Sequence, residues 1–554
     1  MALLIRTHRA TIGCLLLTAL AGADERKSRD WLTWGGDPER TGWNRGETTI
    51  SRKNASALEL KWKLQIDQDI PIDIQSGAAM LTAPLVVENV KTGNGPKTLV
   101  FTLAASNTLA AIDAESGKIV WRRKFTNKVQ PPRAANWICT NTATATPVID
   151  KQNGIVYLLS ADGMLHGVSL RDGEDRLPPT DFVPPFSRNW SMNLVDGVIY
   201  TSVGRGGGLG ESANEPVASH MIAMDIRDPK RPVRRLVTSI GRPGGVWGRG
   251  GLAWGPKGIY GQTADGTFEP ESGKWGNVIL NLDPKTLEVR DYFVPPNIEL
   301  LNSKDLDFGS AGPLTFSYKN WQLILSGGKD GTIYLLDANS MGGKDHQTPL
   351  FAKRIGNDAN SYAASGIWGA MATAVDAKGE RWVYAPMWGP VSKEVTGFLH
   401  TYGEANQGSV MAFRLAVGDG KPALIPAWVS RNLAVPEPPV VANGVVFAVS
   451  TGENTQQRTT APLRPGQTGV LSGSNRQGSK KASGPRVRIL TAQERGENTT
   501  HATLYALDAF TGQELYSSKE LVDDWTHLSS VTVGAGRVYL TTRKSYIFAF
   551  GPKK

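Results

Sequence analysis

Residues 108–121 read TLAAIDAESGKIVW: alternating apolar positions, an aspartate, a tight turn carrying glycine, and a return strand. The same pattern recurs at 332–344 (TIYLLDANSMGGK) and 503–516 (TLYALDAFTGQELY). Weaker copies begin at Met164, His220, Asn277 and Ser409. The positions equivalent to the aspartate are Asp113, Ser169, Asp225, Asp283, Asp337, Arg414 and Asp508, at steps of 56, 56, 58, 54, 77 and 94 residues. A period of this length, held until two late insertions, marks a chain built from repeated supersecondary units.

Ahead of most copies lies a second β signal, such as Gly154-Ile155-Val156-Tyr157 or Gly536-Arg537-Val538-Tyr539. Each unit therefore supplies about four strands, which is one blade of a propeller. The period exceeds the roughly 40–45 residues of a WD40 blade, which excludes that class. Seven hairpins are visible. Leu58 to Leu64 (LELKWKL) reads as an eighth return strand whose partners are the C-terminal segment from Val538 to Phe550. Pairing the two ends closes the ring and removes exposed edges. The expectation is an all-β, eight-bladed propeller, with seven blades as the alternative, spanning 24–554 as one domain.

The N-terminus carries Arg6, His8 and Arg9, an apolar run from Ala10 to Ala21, and small residues at Ala21-Gly22-Ala23. Such a run is too short to span a bilayer and reads as a signal peptide over 1–23, placing the mature chain in the periplasm or outside the cell. Without that segment one cysteine remains, Cys139, so no intrachain disulfide forms and a large core must supply stability. The formal charge is +10, concentrated partly in a Gly/Ser-rich stretch at about 455–500, which reads as a flexible basic insertion. Basic residues gathered in such a loop of an exported chain do not indicate a nucleic-acid partner.

The stretch from Asp305 to Asp337, DLDFGSAGPLTFSYKNWQLILSGGKDGTIYLLD, sets a carboxylate pair before one strand and Lys329 in a turn before another. Acid and base thus fall on neighbouring loops of one sheet, where a propeller places ligands at its channel mouth. Together with the hairpin AIDAESGKIVW and the opening WLTWGGDPERTGWN (31–44), it resembles the pyrroloquinoline quinone (PQQ) dehydrogenases, quinoprotein alcohol dehydrogenases on an eight-bladed propeller. The hairpin is shared with non-catalytic outer-membrane assembly propellers.

The resemblance implies roles in chain order. Trp247, in Gly244-Gly245-Val246-Trp247, matches the tryptophan under the quinone ring, where a large π face stacks on a flat cofactor. Asp265, in Thr263-Ala264-Asp265-Gly266, stands where the family has an asparagine ligand of calcium, although an Asp-Gly pair equally suits an ordinary hairpin turn. Asp307 matches the catalytic aspartate, which takes the alcohol proton while hydride passes to a metal-polarised quinone carbonyl. Asp305, at i−2, falls on the same side of an extended strand. Lys329 matches the cation that binds the quinone oxygens, and Trp368 is a further channel-facing tryptophan.

Three features depart from the family. The adjacent-cysteine pair is absent. The glutamate metal ligand falls in GRGGGLGESANE (204–215), where Asn214 lies nearest the expected place and Glu211 or Glu215 would have to serve. No Cys-x-x-Cys-His haem motif occurs, so electrons would leave to a separate acceptor such as a cytochrome c. The expectation is an exported PQQ- and Ca²⁺-dependent oxidoreductase acting on an alcohol or similar hydroxyl substrate; the alternative is a non-catalytic envelope scaffold.

Overall fold

The structure is a computed structural model that describes residues 28–67, 81–129, 145–204, 218–228, 230–239, 244–363, 365–456, 458–465, 488–490 and 492–553. The expected signal peptide, Cys139 and the glycine-rich segment with Glu211, Asn214 and Glu215 lie outside them. So does most of the basic insertion, although part of it, Ala492–Glu497, forms a short helix. No helix among the described residues is long and apolar enough to cross a membrane.

Among the described residues eight sheets of four or five strands follow one another along the chain, which settles the count at eight blades. In the first blade Leu85–Thr92, Gly95–Leu103, Thr108–Asp113 and Ile119–Lys124 pair in sequence order. The third strand is buried at every residue, while the fourth is largely exposed. Middle strands are covered on both faces by neighbouring blades, so their sequences run continuously apolar. Closure is as expected: Leu58–Gln65 pairs antiparallel with Tyr546–Pro552 and becomes the outermost strand of the eighth blade. The largest apolar cluster crosses this seam, joining Phe101 and Ile112 to Phe548 and Phe550.

The repeated aspartate caps the turn that follows it. Asp113 Oδ1 accepts the N–H of Ser116 at 2.9 Å, Asp283 Oδ1 that of Thr286 at 2.9 Å, and Asp508 Oδ1 that of Thr511 at 3.0 Å. Three copies of the turn, those of blades 1, 2 and 7, also receive a tryptophan from the blade before. Trp62, Trp121 and Trp428 donate their indole N–H to the carbonyls of Ala114, Leu170 and Ala509 at 2.8, 3.0 and 3.0 Å. Their rings lie on Gly117, Gly173 and Gly512. At Gly117 φ is +70° and an added Cβ would stand 2.6 Å from Trp62 Cγ, so both backbone conformation and ring contact require glycine.

The opening segment runs as a belt inside the ring. Trp31 bridges to Val86 and the Leu32 carbonyl accepts Ile149 N–H at 2.8 Å. Thr33 Oγ1 donates to the Met192 carbonyl at 2.8 Å. The carbonyls of Pro38, Glu39, Thr41 and Gly42 accept the N–H groups of Trp254, Thr315, Thr373 and Val441 at 2.7–3.0 Å, and Asn44 Nδ2 donates to the Val533 carbonyl at 2.8 Å. All eight blades are thereby tied through, or just before, their innermost strands. Arg40, 0% exposed, donates to the carbonyls of Trp34, Met192 and Leu252 and to Thr33 Oγ1 at 2.6–3.1 Å. Burial lowers its pKa to about 9, a cost of holding a cation at the hub.

Candidate active site

At the end of the channel where first strands begin and second strands finish, the loops of blades 4, 5 and 6 converge. Helix Ile298–Lys304 links blades 4 and 5 and ends at Asp305 in a left-handed conformation (φ 59°). The chain then turns so that Asp307 precedes a single 3₁₀ turn, Phe308–Ser310, which feeds strand Leu314–Tyr318. The two aspartates are therefore not on a strand, and the side-by-side argument from strand alternation does not hold. The left-handed turn at Asp305 achieves the same end by another route: Asp265, Asp305 and Asp307 each offer a carboxylate oxygen, all within 4.8 Å of one another.

Asp265 lies just beyond the second strand of blade 4, Gly258–Gln262, and Lys329 just beyond that of blade 5, Trp321–Gly327. Lys329 Nζ pairs with Asp307 Oδ2 at 2.6 Å, with both side chains buried. The backbone N–H of Asp265 donates to Asp307 Oδ1 at 3.1 Å. Burial works against ionisation of Asp307, but the Lys329 charge and hydrogen bonds from Asp265 and Lys329 outweigh it and hold its carboxyl below the usual range. Asp265 goes the other way: burial, then the neighbouring Asp307 charge, raise it to about 8. At neutral pH the site thus keeps an anion on Asp307 and a proton on Asp265.

An amide scaffold fixes these loops. Asn277 Oδ1 accepts the Phe308 N–H at 2.9 Å, and Asn302 Oδ1 accepts both Asn277 Nδ2 and the Gly266 N–H at 3.0 Å. Lys329 N–H donates to the Asp307 carbonyl at 3.2 Å, and Asn357 Nδ2 donates to the Lys329 carbonyl. Gly366 passes so close that a Cβ would stand 2.1 Å from that same carbonyl, at φ +104°.

The wall is aromatic. The Lys329 ammonium lies 5.2 Å from the Trp247 ring centroid and 4.5 Å from that of Trp368. Trp247 meets Trp368 edge to face at 5.5 Å, and Trp368 is stacked on Trp388 at 4.5 Å with a 2° interplanar angle. The structure thus brings together Trp247, Asp265, Asp307, Lys329 and Trp368. It adds Trp388, Asn277 and Asn302, which sequence reasoning missed. Trp388 had a signal: it closes strand Arg381–Trp388 at the same end as the Lys329 turn. Three convergent carboxylates are a hard, oxygen-only donor set that suits calcium, and a partly exposed indole beside a lysine suits a flat anionic cofactor.

A family model described as outer membrane protein assembly factor BamB matches residues 68–209. No curated protein matches the chain. Among solved structures, quinohemoprotein alcohol dehydrogenase ADHIIG from Pseudomonas putida HK5 is similar at a TM-score of 0.56 and 14% identity, over 96% of this chain and 81% of its own. The quinohemoprotein alcohol dehydrogenase from Comamonas testosteroni gives 0.52 and 14%, over 97% and 82%. A europium-containing methanol dehydrogenase gives 0.56 and 14%, over 96% and 99%. At these identities the shared property is architecture. By its hairpin repeat, its eight closed blades and these neighbours, the chain has the eight-bladed β-propeller fold of these dehydrogenase structures.

Proposed function

We propose that the protein is an exported PQQ-dependent oxidoreductase that oxidises an alcohol or similar hydroxyl substrate, with Asp307 as general base. The observation that carries this reading is the buried Lys329–Asp307 pair, set among two further carboxylates and against the Trp247–Trp368 wall. A propeller that only presents loops to partners has no use for a desolvated charge cluster of this cost.

When bound, PQQ supplies a quinone that accepts hydride and Ca²⁺ polarises its carbonyl. Asp265, Asp305 and Asp307 would hold the cation, with Glu215 or a neighbour as a further ligand. Trp247 would stack on the flat ring, and Lys329 would meet its oxygens. Asp307, ionised at neutral pH, takes the hydroxyl proton on a carboxylate oxygen, and the ammonium beside it fixes that oxygen's direction. The buried Trp368–Trp388 stack would back the Lys329 ammonium on its aromatic side. With no haem motif in the chain, electrons would leave to a separate acceptor such as a cytochrome c.

The test is dye-linked turnover of a panel of alcohols after reconstitution with PQQ and Ca²⁺. Reduction should require both and should fall by roughly 10²–10⁴-fold in Asp307→Asn. No turnover with any alcohol would favour a second reading, supported by the BamB family match over residues 68–209: a non-catalytic scaffold of the cell envelope.

A further inference from the structure

On the same end of the propeller, between blades 6 and 7, a cleft of about 370 Å³ is lined by Asn406, Gln407, Val435, Glu453, Asn498 and Thr500, among others. Its size lies near the lower end of the roughly 300–1,000 Å³ of small-molecule sites. Among the described residues its wall carries amides and hydroxyls, one carboxylate, and no lysine or arginine. Among these residues an anion such as phosphate or a carboxylate finds no cationic side chain to pair with.

The one carboxylate is built in. Glu453 is 6% exposed, follows strand Val445–Ser450, and bonds through Oε2 to Nδ1 of buried His527. Behind it lies a second buried pair, Arg249 with Glu437 at 2.7 Å. Glu453 is thus an already partnered acceptor rather than an open counter-charge for a cation. The surrounding amides are half used. Asn406 Nδ2 donates to Glu404 at 3.2 Å, Gln407 Oε1 accepts from Asn432 at 2.8 Å, and Asn498 Nδ2 donates to the Glu494 carbonyl at 3.0 Å. The Asn406 and Asn498 oxygens and the Gln407 nitrogen keep capacity toward the cleft. Fixed acceptors and donors interleaved over a small area match hydroxyl groups, which both give and take a hydrogen bond.

We propose that this cleft binds a neutral polyhydroxylated ligand, a sugar or polyol of one or two rings, with Asn406, Gln407 and Asn498 contacting its hydroxyls and Glu453 as the fixed acceptor at its base. The cleft shares no lining residue with the Asp307–Lys329 cluster, although Val435 packs against Trp368 and Trp388, and the proposal does not rest on the function assigned there.

The test is saturation-transfer difference NMR on the full chain with glucose, maltose and sorbitol as probes, and spermidine as a cationic control. At least one hydroxylated probe should bind saturably and spermidine should not. Binding should weaken about tenfold in Asn406→Ala/Asn498→Ala, a loss of about 1.4 kcal/mol. Both side chains are exposed, so the variant should keep the wild-type Tm; Gln407→Ala is the independent second variant. Absence of saturable transfer from all three probes, transfer unchanged in both variants, or binding of spermidine instead would each overturn the proposal.

Discussion

Lys329 Nζ stands 2.6 Å from Asp307 Oδ2, and each of the two side chains is buried. Two opposite charges placed so deep are costly to separate. Removing one alone leaves the other desolvated and unpaired, at about 3–5 kcal/mol. Asp307→Ala should therefore lower the Tm of the cofactor-free protein markedly, and Lys329→Met should do the same. The double variant should be more stable than the sum of the singles predicts. Differential scanning calorimetry of the four proteins checks this; additive losses would mean that the pair is not coupled.

Asp265 supplies a pH signature. Its folded-state pKa of about 8 lies above the roughly 4 of an unfolded aspartate. A raised carboxyl contributes stability that is fully present below the unfolded value and is lost as pH rises through about 8. Asn at this position carries no charge at any pH. Asp265→Asn should therefore gain stability relative to wild type progressively between about pH 4 and 8, with the difference level above that range. Paired Tm measurements at pH 5, 7 and 9 test it, and a pH-independent difference would contradict it.

The same proton governs metal affinity. A cation held by Asp265, Asp305 and Asp307 must displace the proton on Asp265, so calcium should bind more tightly as pH rises from 6 to 8 and should release protons on binding. Calcium should also raise Tm by mass action. Titration calorimetry in two buffers of different ionisation enthalpy measures the released proton. Asp305→Ala should weaken binding while leaving the Lys329–Asp307 pair in place.

Much of the architecture was legible because it is periodic. The aspartate at the end of the third strand recurs since its carboxylate caps the following turn, as Asp113, Asp283 and Asp508 do. LELKWKL announced the closure because a lone alternating strand needs a partner. The belt was not legible as a belt: residues 31–44 hold almost no regular structure, so no periodicity reveals that Arg40 ends at the hub. In the site, the chemistry-bearing types Asp307, Lys329 and Trp247 stood out by residue and spacing. Asn277, Asn302 and Trp388 act through contacts between distant loops, which spacing does not encode. Asp305 shows the limit well, since its carboxylate joins the cluster through a left-handed turn rather than through strand alternation.

The most direct measurement is calorimetric titration of the purified protein with PQQ, with and without Ca²⁺, on wild type and Lys329→Ala. The account predicts saturable binding that is tighter with Ca²⁺ and at least about tenfold weaker in Lys329→Ala, the loss of a charge-assisted contact of about 1.5–3 kcal/mol. Absence of binding at high PQQ concentration, or binding indifferent to both Ca²⁺ and Lys329, would contradict it.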